Sequence, residues 1–148
     1  MNESDIEDIL ATHSYLIDKK FLTNSKYVLK RQETQSKDAR TDLVFTFEQD
    51  KEIILVELIK TVLKLPDYKQ ILRYYLSLRD KHSYPWKISG YLIGYPNPKE
   101  LVYDKRSFKW LKLLYLEKDI PIQIRICEKC RKAYSNFLYE CKFCFKRR

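Results

Sequence analysis

The sequence predicts a mixed α/β domain, in which helices flank a central sheet, followed by a small C-terminal module. Its predicted elements follow the order helix, three strands, helix, strand, helix, strand, which is typical of a mixed sheet with helical crossovers. The run EIILVELI at residues 52–59 is almost continuously aliphatic, as expected of a central strand. All four cysteines lie within residues 127–144. We therefore expect an α/β domain over residues 1–120 and a separate module over residues 121–148.

The first half of the chain predicts one helix and three strands. Residues 4–17 place apolar side chains at helical spacing, and Ser4 is the candidate N-cap. Strands are expected at residues 26–35, 41–48 and 52–59. The polar segment EQDKE would join the last two strands as a hairpin turn.

The second half predicts a helical crossover and two further strands. Pro66 begins a helix through DYKQILRYYLSLRDKH, because its fixed φ angle suits a first helical turn. Residues 86–95 are predicted as a strand, residues 104–118 as a second helix, and residues 120–126 as a short strand that enters the C-terminal module. A meander followed by a crossover gives a mixed sheet.

Composition and charge narrow the class of partner. The net charge is +9 and the isoelectric point is about 9.3, which favours a polyanion, nucleic acid before an acidic membrane surface. The N-terminus, MNESDIEDIL, is acidic and does not resemble a signal peptide. No apolar run approaches the roughly 18 residues of a membrane span. We expect a cytoplasmic protein without a membrane segment.

Two acids fall near the ends of adjacent predicted strands. Because strand side chains alternate between faces, Asp42 shares a face with Val44, and Glu57 shares a face with Leu55 and Ile59. A buried carboxylate is costly unless it is paired or binds a metal, and two neighbouring carboxylates suit a hard cation such as Mg²⁺. The alternative is that both acids meet solvent or a nearby arginine at the end of the sheet.

Three stretches carry a resemblance to a known family: RTDLVFTFEQDKEIILVELIK, DYKQILRYY and ISGYLIGYP. Together they resemble the PD-(D/E)xK nuclease superfamily, in particular its RecB-like and NucS-like branches. Asp42 and Glu57 match the two acids of the family pattern, and Gln70 and Tyr74 match its helix motif Q-x-x-x-Y. The resemblance covers roughly residues 4–96. It implies a restriction-endonuclease-like core and a DNA endonuclease activity that depends on Mg²⁺ or Mn²⁺.

The resemblance also implies a ligand set for the catalytic metal. Asp42 and Glu57 would bind it, and the backbone carbonyl of Leu58 would be a further ligand. The opening helix of the chain resembles the NucS-type opening helix, in which an acid often reaches the site. Glu7 is the candidate for that role, with a contact through water.

One departure from the family pattern concerns the lysine of its E-x-K motif. Ile59 stands at that position, and the lysine comes one residue later, at Lys60. A regular strand would direct Lys60 to the opposite face from Glu57, and a β-bulge would change this. Lys60 or Gln70 is therefore the candidate for orienting the attacking water and offsetting charge in the transition state.

The helix after Pro66 carries a polar stripe. Gln70, Arg73, Tyr74 and Ser77 are spaced at i, i+3, i+4 and i+7, so they share one helix face. This face is either a solvated surface or a surface that lies over the site and contacts phosphate. The family motif favours a catalytic role for Gln70, and we predict that Arg73 and Tyr74 bind nucleic acid.

The cysteines form two C-x-x-C pairs, Cys127 with Cys130 and Cys141 with Cys144. This spacing predicts a zinc ribbon with tetrahedral Cys₄ coordination. A site with four protein ligands is closed, so the Zn²⁺ is expected to be structural, and its binding would stabilise a segment too small to fold alone. The alternative, two disulfides, is disfavoured for an intracellular protein.

Residues 125–148 contain eight basic residues against two glutamates, with aromatic residues between them. Basic side chains bind phosphates and exposed aromatic rings stack on bases. We predict that the following side chains bind nucleic acid: Arg131, Lys132, Lys142, Lys146, Arg147 and Arg148. The expected partner is single-stranded, branched or duplex DNA, and a homodimer or a replication or repair protein is a further expected partner. The alternative function is a degenerate nuclease fold that acts as a nucleic-acid-binding or protein-interaction module.

Overall fold

The N-terminal segment folds into short helical pieces instead of the one helix predicted over residues 4–17. This computed structural model describes residues 3–36, 39–99, 105–135 and 141–145. The pieces are α1 (Glu3–Thr12), a 3₁₀ turn (Ser14–Leu16) and α2 (Lys20–Thr23). His13 ends the first helix, because its φ of −127° and ψ of 57° lie outside the helical region. The break lets Leu16 and Phe21 reach the hydrophobic core.

A mixed sheet forms the centre of the fold, as the sequence predicts, and it contains five strands. In chain order the strands are β1 (Val28–Ser36), β2 (Ala39–Phe47), β3 (Glu52–Val62), β4 (Lys87–Tyr95) and β5 (Leu111–Tyr115), and they lie side by side in that order. β2 runs antiparallel to both of its neighbours, β1 and β3, while β4 and β5 run parallel to β3. Helix α3 (Leu65–Lys81) makes the crossover from β3 to β4.

The second helix predicted over residues 104–118 is wrong, because this segment contains the edge strand β5. A 3₁₀ turn at Lys105–Phe108 precedes the strand, and residue 104 lies outside the described residues. The side chains of Leu113 and Tyr115 pack towards α3, whereas Leu114 packs towards α1. A short strand with two apolar faces has the same composition as a buried helix segment, so periodicity does not separate the two.

The sheet separates two hydrophobic clusters. On one face, α1, the 3₁₀ turn and α2 cover side chains that include Phe45 and Val56. On the other face, α3 buries Ile71 and Leu78 against Val44 and neighbouring strand residues. The alternation predicted for β2 and β3 is therefore confirmed, since consecutive residues of each strand belong to opposite clusters. Helix α3 begins with Pro66 in its first turn, as predicted.

The C-terminal module packs against the α/β domain. It contains β6 (Ile124–Ile126), β7 (Ala133–Ser135) and α4 (Lys142–Phe145), and β6 pairs with β7 in an antiparallel hairpin. The strand predicted from residue 120 thus begins at Ile124. Both Ile124 and the fully buried Ala133 belong to the cluster that α1 covers.

Gly94 lies where β4 passes closest to the end of β3. A β-carbon at this position would lie 2.5 Å from Cδ2 of Leu63 and 2.9 Å from the carbonyl oxygen of Ile59. The pairing of β3 with β4 shifts its register between Leu58 and Val62, directly beyond Glu57. The absence of a side chain at Gly94 therefore permits the irregular end of β3.

We expect Gly94→Ala to lower the free energy of unfolding by about 1–3 kcal/mol, because the added methyl group meets a backbone oxygen that cannot move alone. Urea unfolding followed by circular dichroism measures this change. Ser89→Ala, in the same strand, is the matched control and should stay close to the parent. Equal stability of the two variants would contradict the close approach of β4 to β3.

Candidate functional site

The two predicted acids lie next to each other on neighbouring strands. The antiparallel ladder of β2 and β3 ends at the pair Leu43 and Val56, and Asp42 and Glu57 are the next residue of each strand beyond that pair. The alternation of the strands directs both carboxylates to the face that α3 covers. The backbone N–H of Leu58 donates a hydrogen bond of 2.8 Å to Oδ2 of Asp42. This bond holds the Asp42 carboxylate beside Glu57.

Glu57 is buried, with 5% of its surface exposed. Its neighbours along β3 are aliphatic, and each of the residues 53–56 is also buried. Within the described residues, its buried Oε2 atom accepts no hydrogen bond, while the residue takes part in other interactions. A carboxylate in such surroundings is costly unless a cation or hydrogen-bond donors stabilise it. The sheet therefore offers carboxylate oxygens at a position where a cation would be favourable.

Lys60 lies within β3, because this strand continues to Val62. Its side chain is partly buried. Leu58 belongs to the cluster under α1 and Ile59 contacts the cluster under α3, so strict alternation would direct Lys60 to the α1 face. The register shift begins after Leu58, however, and a bulge of this kind re-aims the side chains that follow it.

Gln70 and Tyr74 form a hydrogen-bonded pair on α3, with Nε2 of Gln70 donating to the hydroxyl of Tyr74 at 2.5 Å. Tyr74 is 3% exposed and its ring packs in the cluster between α3 and the sheet. The ring of Tyr74, which the sequence predicts to bind nucleic acid, is therefore part of the core. Arg73, which precedes it, is exposed.

Glu7 lies on α1, at the other face of the sheet. Its Oε1 accepts a hydrogen bond of 3.2 Å from Nε of Arg31, and Arg31 also pairs with Asp8. Arg31 lies opposite Leu43, whose side chain packs towards α1. The contact joins α1 to β1. It lies on the face of the sheet opposite to the α3 face, to which Glu57 is directed.

The four cysteines come together as the spacing predicts. Their sulfur atoms all lie within 4.8 Å of one another, and they form the one such group of metal-ligating side chains found among the described residues. Sγ of Cys127 is 3.7 Å from Sγ of Cys144, and Sγ of Cys130 is 3.6 Å from Sγ of Cys141. A tetrahedral ion with Zn–S bonds of about 2.3 Å separates its sulfurs by about 3.8 Å. The donor set therefore fits a structural zinc ion.

The first pair of cysteines lies on a tight turn that favours thiolates. The N–H of Arg131 donates to the carbonyl of Cys127 at 2.8 Å, and Arg131 has a left-handed φ of 62°. Donation from the backbone N–H of Cys130 is the largest cause that lowers the pKa of Cys127, to about 6. A hydrogen bond with Cys130, together with burial, raises the pKa of Cys144 to about 12. The raised pKa of Cys144 disfavours deprotonation of all four thiols without a cation. A bound metal ion would supply the positive charge that stabilises four thiolates.

Only some of the module's side chains that are predicted to bind nucleic acid lie within the described residues. Arg131 is exposed and Lys132 is partly buried. Lys142 begins α4, and its side chain lies outside the described part of the chain. The tail residues Lys146, Arg147 and Arg148 also lie outside the described residues.

Tyr15 contacts the cysteine module, and the sequence pattern does not predict this contact. Its hydroxyl accepts a hydrogen bond from the backbone N–H of Ala133, and its ring meets Phe143 edge-on at 5.3 Å. Burial raises the pKa of Tyr15. The contact joins residues 118 positions apart, so no local pattern in the sequence could indicate it.

Comparisons of the chain with protein-family models, with curated proteins and with solved structures found no match. Function must therefore be inferred from the residues of the site. Among the described residues, no helix is both long enough and apolar enough to cross a membrane.

We expect Cys130→Ser to reduce bound zinc from about one ion per chain to a small fraction and to lower the melting temperature, because a structural site needs all four ligands. Metal analysis of the purified protein and thermal unfolding measure the two effects. Glu128→Gln, an exposed change between the first two cysteines, is the control and should keep its zinc. A variant that keeps its full zinc content would contradict the Cys₄ site.

Proposed function

We propose that this protein is a DNA endonuclease of the PD-(D/E)xK type that depends on Mg²⁺ or Mn²⁺, and that its C-terminal zinc ribbon binds nucleic acid. The observation that carries the proposal is the juxtaposition of Asp42 and Glu57 across β2 and β3. Two carboxylates directly beyond the last pair of the β2–β3 ladder, one of them buried, form an arrangement that a hard divalent cation would stabilise.

Asp42, Glu57 and the backbone carbonyl of Leu58 are the proposed ligands of this cation. The N–H and the C=O of one strand residue point to the same neighbouring strand. Because the Leu58 N–H donates to Asp42, its carbonyl is expected to point towards β2 as well. Oxygen ligands of this kind suit Mg²⁺, which keeps its remaining positions for water and phosphate.

A divalent cation bound there would polarise the scissile phosphate and lower the pKa of a water ligand. The chain's own contribution would be to position that water and to offset charge in the transition state. Gln70 is suited to positioning, since its amide is held by a buried tyrosine on the helix that covers this face. Lys60, in the irregular end of β3 where a bulge re-aims side chains, is the proposed cation for offsetting charge.

The zinc ribbon would increase affinity for DNA. Arg131 and Lys132 belong to the basic segment at residues 125–148, whose charge favours binding to phosphates of any sequence. Binding through charge would bring single-stranded, branched or duplex DNA to the carboxylates. The net charge of +9 on the whole chain would also attract the negatively charged DNA.

A second candidate is a nucleic-acid-binding or protein-interaction module on a nuclease-like scaffold that does not cut. Ile59 favours this alternative, because it occupies the lysine position of the motif and packs against the hydrophobic cluster under α3. In this case affinity would come from the zinc ribbon, and the buried Glu57 would be a remnant of an active site.

We expect Asp42→Asn and Glu57→Gln each to lower the rate of DNA cleavage at least about 100-fold, because each removes a charged ligand of the proposed metal. The assay uses Mg²⁺ and Mn²⁺ with single-stranded, duplex and branched DNA. Glu48→Gln and Asp50→Asn change exposed acids in the turn between the same two strands, so they are matched controls that should cut like the parent.

Cleavage by both active-site variants at the parent rate would overturn the assignment of the site. A parent protein that binds DNA but cuts none of the three substrates would support the second candidate instead.

We expect Arg131→Gln and Lys132→Gln to weaken DNA binding to a similar extent for all sequences. Each phosphate contact that is lost should reduce the slope of log K against log salt concentration by about one. Titrations at several salt concentrations measure the slope, and Lys26→Gln, an exposed change before β1, is the control. An unchanged slope in both ribbon variants would place DNA binding elsewhere on the chain.

A further inference from the structure

The 3₁₀ turn at Ser14–Leu16 connects the N-terminal helix to the cysteine module. The hydroxyl of Tyr15 accepts a hydrogen bond from the backbone N–H of Ala133 and lies 3.1 Å from Nδ1 of His13. Because the oxygen accepts from Ala133, its proton is available to His13. One hydroxyl thus links the end of α1 to the strand that follows Cys130.

The ring of Tyr15 makes a second contact with the module. It meets the ring of Phe143 at a centroid distance of 5.3 Å and an interplanar angle of 89°, a favourable edge-to-face arrangement. Phe143 lies between Cys141 and Cys144 and packs against the buried cysteines. Tyr15 therefore contacts segments that belong to both C-x-x-C pairs.

The module also completes the hydrophobic core under α1. Ala133, Ile122 and Ile124 contact the cluster that contains Ile6 and Leu10 of α1. A segment as short as residues 121–148 buries little apolar surface by itself, so its folding depends on metal binding and on this packing together. The module and α1 therefore pack against the same hydrophobic cluster, so the packing that stabilises one also stabilises the other.

We propose that zinc binding at the four cysteines and folding of residues 3–17 form one cooperative unit, with Tyr15 as the residue that couples them. Zinc holds the two cysteine pairs together, the pairs position Ala133 and Phe143, and these two residues hold Tyr15. Loss of zinc therefore loosens α1 and uncovers the face of the sheet opposite to α3. This coupling involves the zinc site and α1 and does not depend on the proposed nuclease activity.

Hydrogen exchange of the full-length protein tests the coupling. Zinc is removed with a chelator under reducing conditions, and exchange is compared with that of the zinc-loaded protein. We expect the amides of residues 3–17 to exchange at least about fivefold faster after zinc removal, the lower end of usual coupling between sites. The amides of β2 and β3 are the internal reference and should keep their protection.

Substitution of Tyr15 tests the coupling from the opposite direction. Coupling is reciprocal, so if zinc binding strengthens the contacts of Tyr15 by a given factor, those contacts strengthen zinc binding by the same factor. Tyr15→Phe removes the hydroxyl and keeps the ring, and we expect zinc affinity to fall about threefold to tenfold in competition with a chromophoric chelator. Tyr15→Ala removes both contacts, and we expect a decrease of at least about tenfold.

Tyr27→Phe is the matched control. Tyr27 packs against the same cluster, and its hydroxyl lies 3.3 Å from Oγ of Ser14, so the variant removes a comparable hydroxyl that meets Ser14 in place of the backbone of Ala133. Its zinc affinity should equal that of the parent.

Two results would overturn the proposal. One is that zinc removal accelerates exchange only in residues 124–135 and 141–145 and leaves residues 3–17 unchanged. The other is that Tyr15→Phe, shown by circular dichroism to be folded, binds zinc as tightly as the parent and responds to zinc removal in the same way.

Discussion

The antiparallel pairing of β2 with β3 is the constraint on which the candidate active site depends. Its register places Leu43 against Val56, so the next residues of the two strands, Asp42 and Glu57, become neighbours. A shift by one residue would direct one acid to the opposite face of the sheet. The short turn between Phe47 and Glu52 fixes the register, and Lys51 adopts the left-handed φ of 51° that this turn requires.

The observed and the proposed donor sets differ in chemistry. The proposed donors Asp42, Glu57 and the Leu58 carbonyl are oxygen ligands, which suit hard cations that keep some of their water. The cysteines are thiolate donors around a closed tetrahedral site, which suits zinc. The difference in ligand type would keep the two ions at separate sites, one proposed for chemistry and the other for structure.

Local patterns in the sequence predict much of this arrangement. The alternation of β2 and β3 identifies the faces of Asp42 and Glu57, and the cysteine spacing identifies the Cys₄ cluster. The edge strand β5 was predicted as a helix, because both of its faces are apolar. The core position of Tyr74 and the contact of Tyr15 with Ala133 could not be predicted, since each depends on how distant segments pack.

The most direct test of the central claim is anomalous X-ray scattering from crystals of the zinc-loaded protein soaked in Mn²⁺. We expect a manganese peak between the carboxylates of Asp42 and Glu57, within coordination distance of both and of the Leu58 carbonyl. We also expect a separate zinc peak among the four cysteines. A zinc peak without manganese at Asp42 and Glu57 would contradict the proposed catalytic metal site.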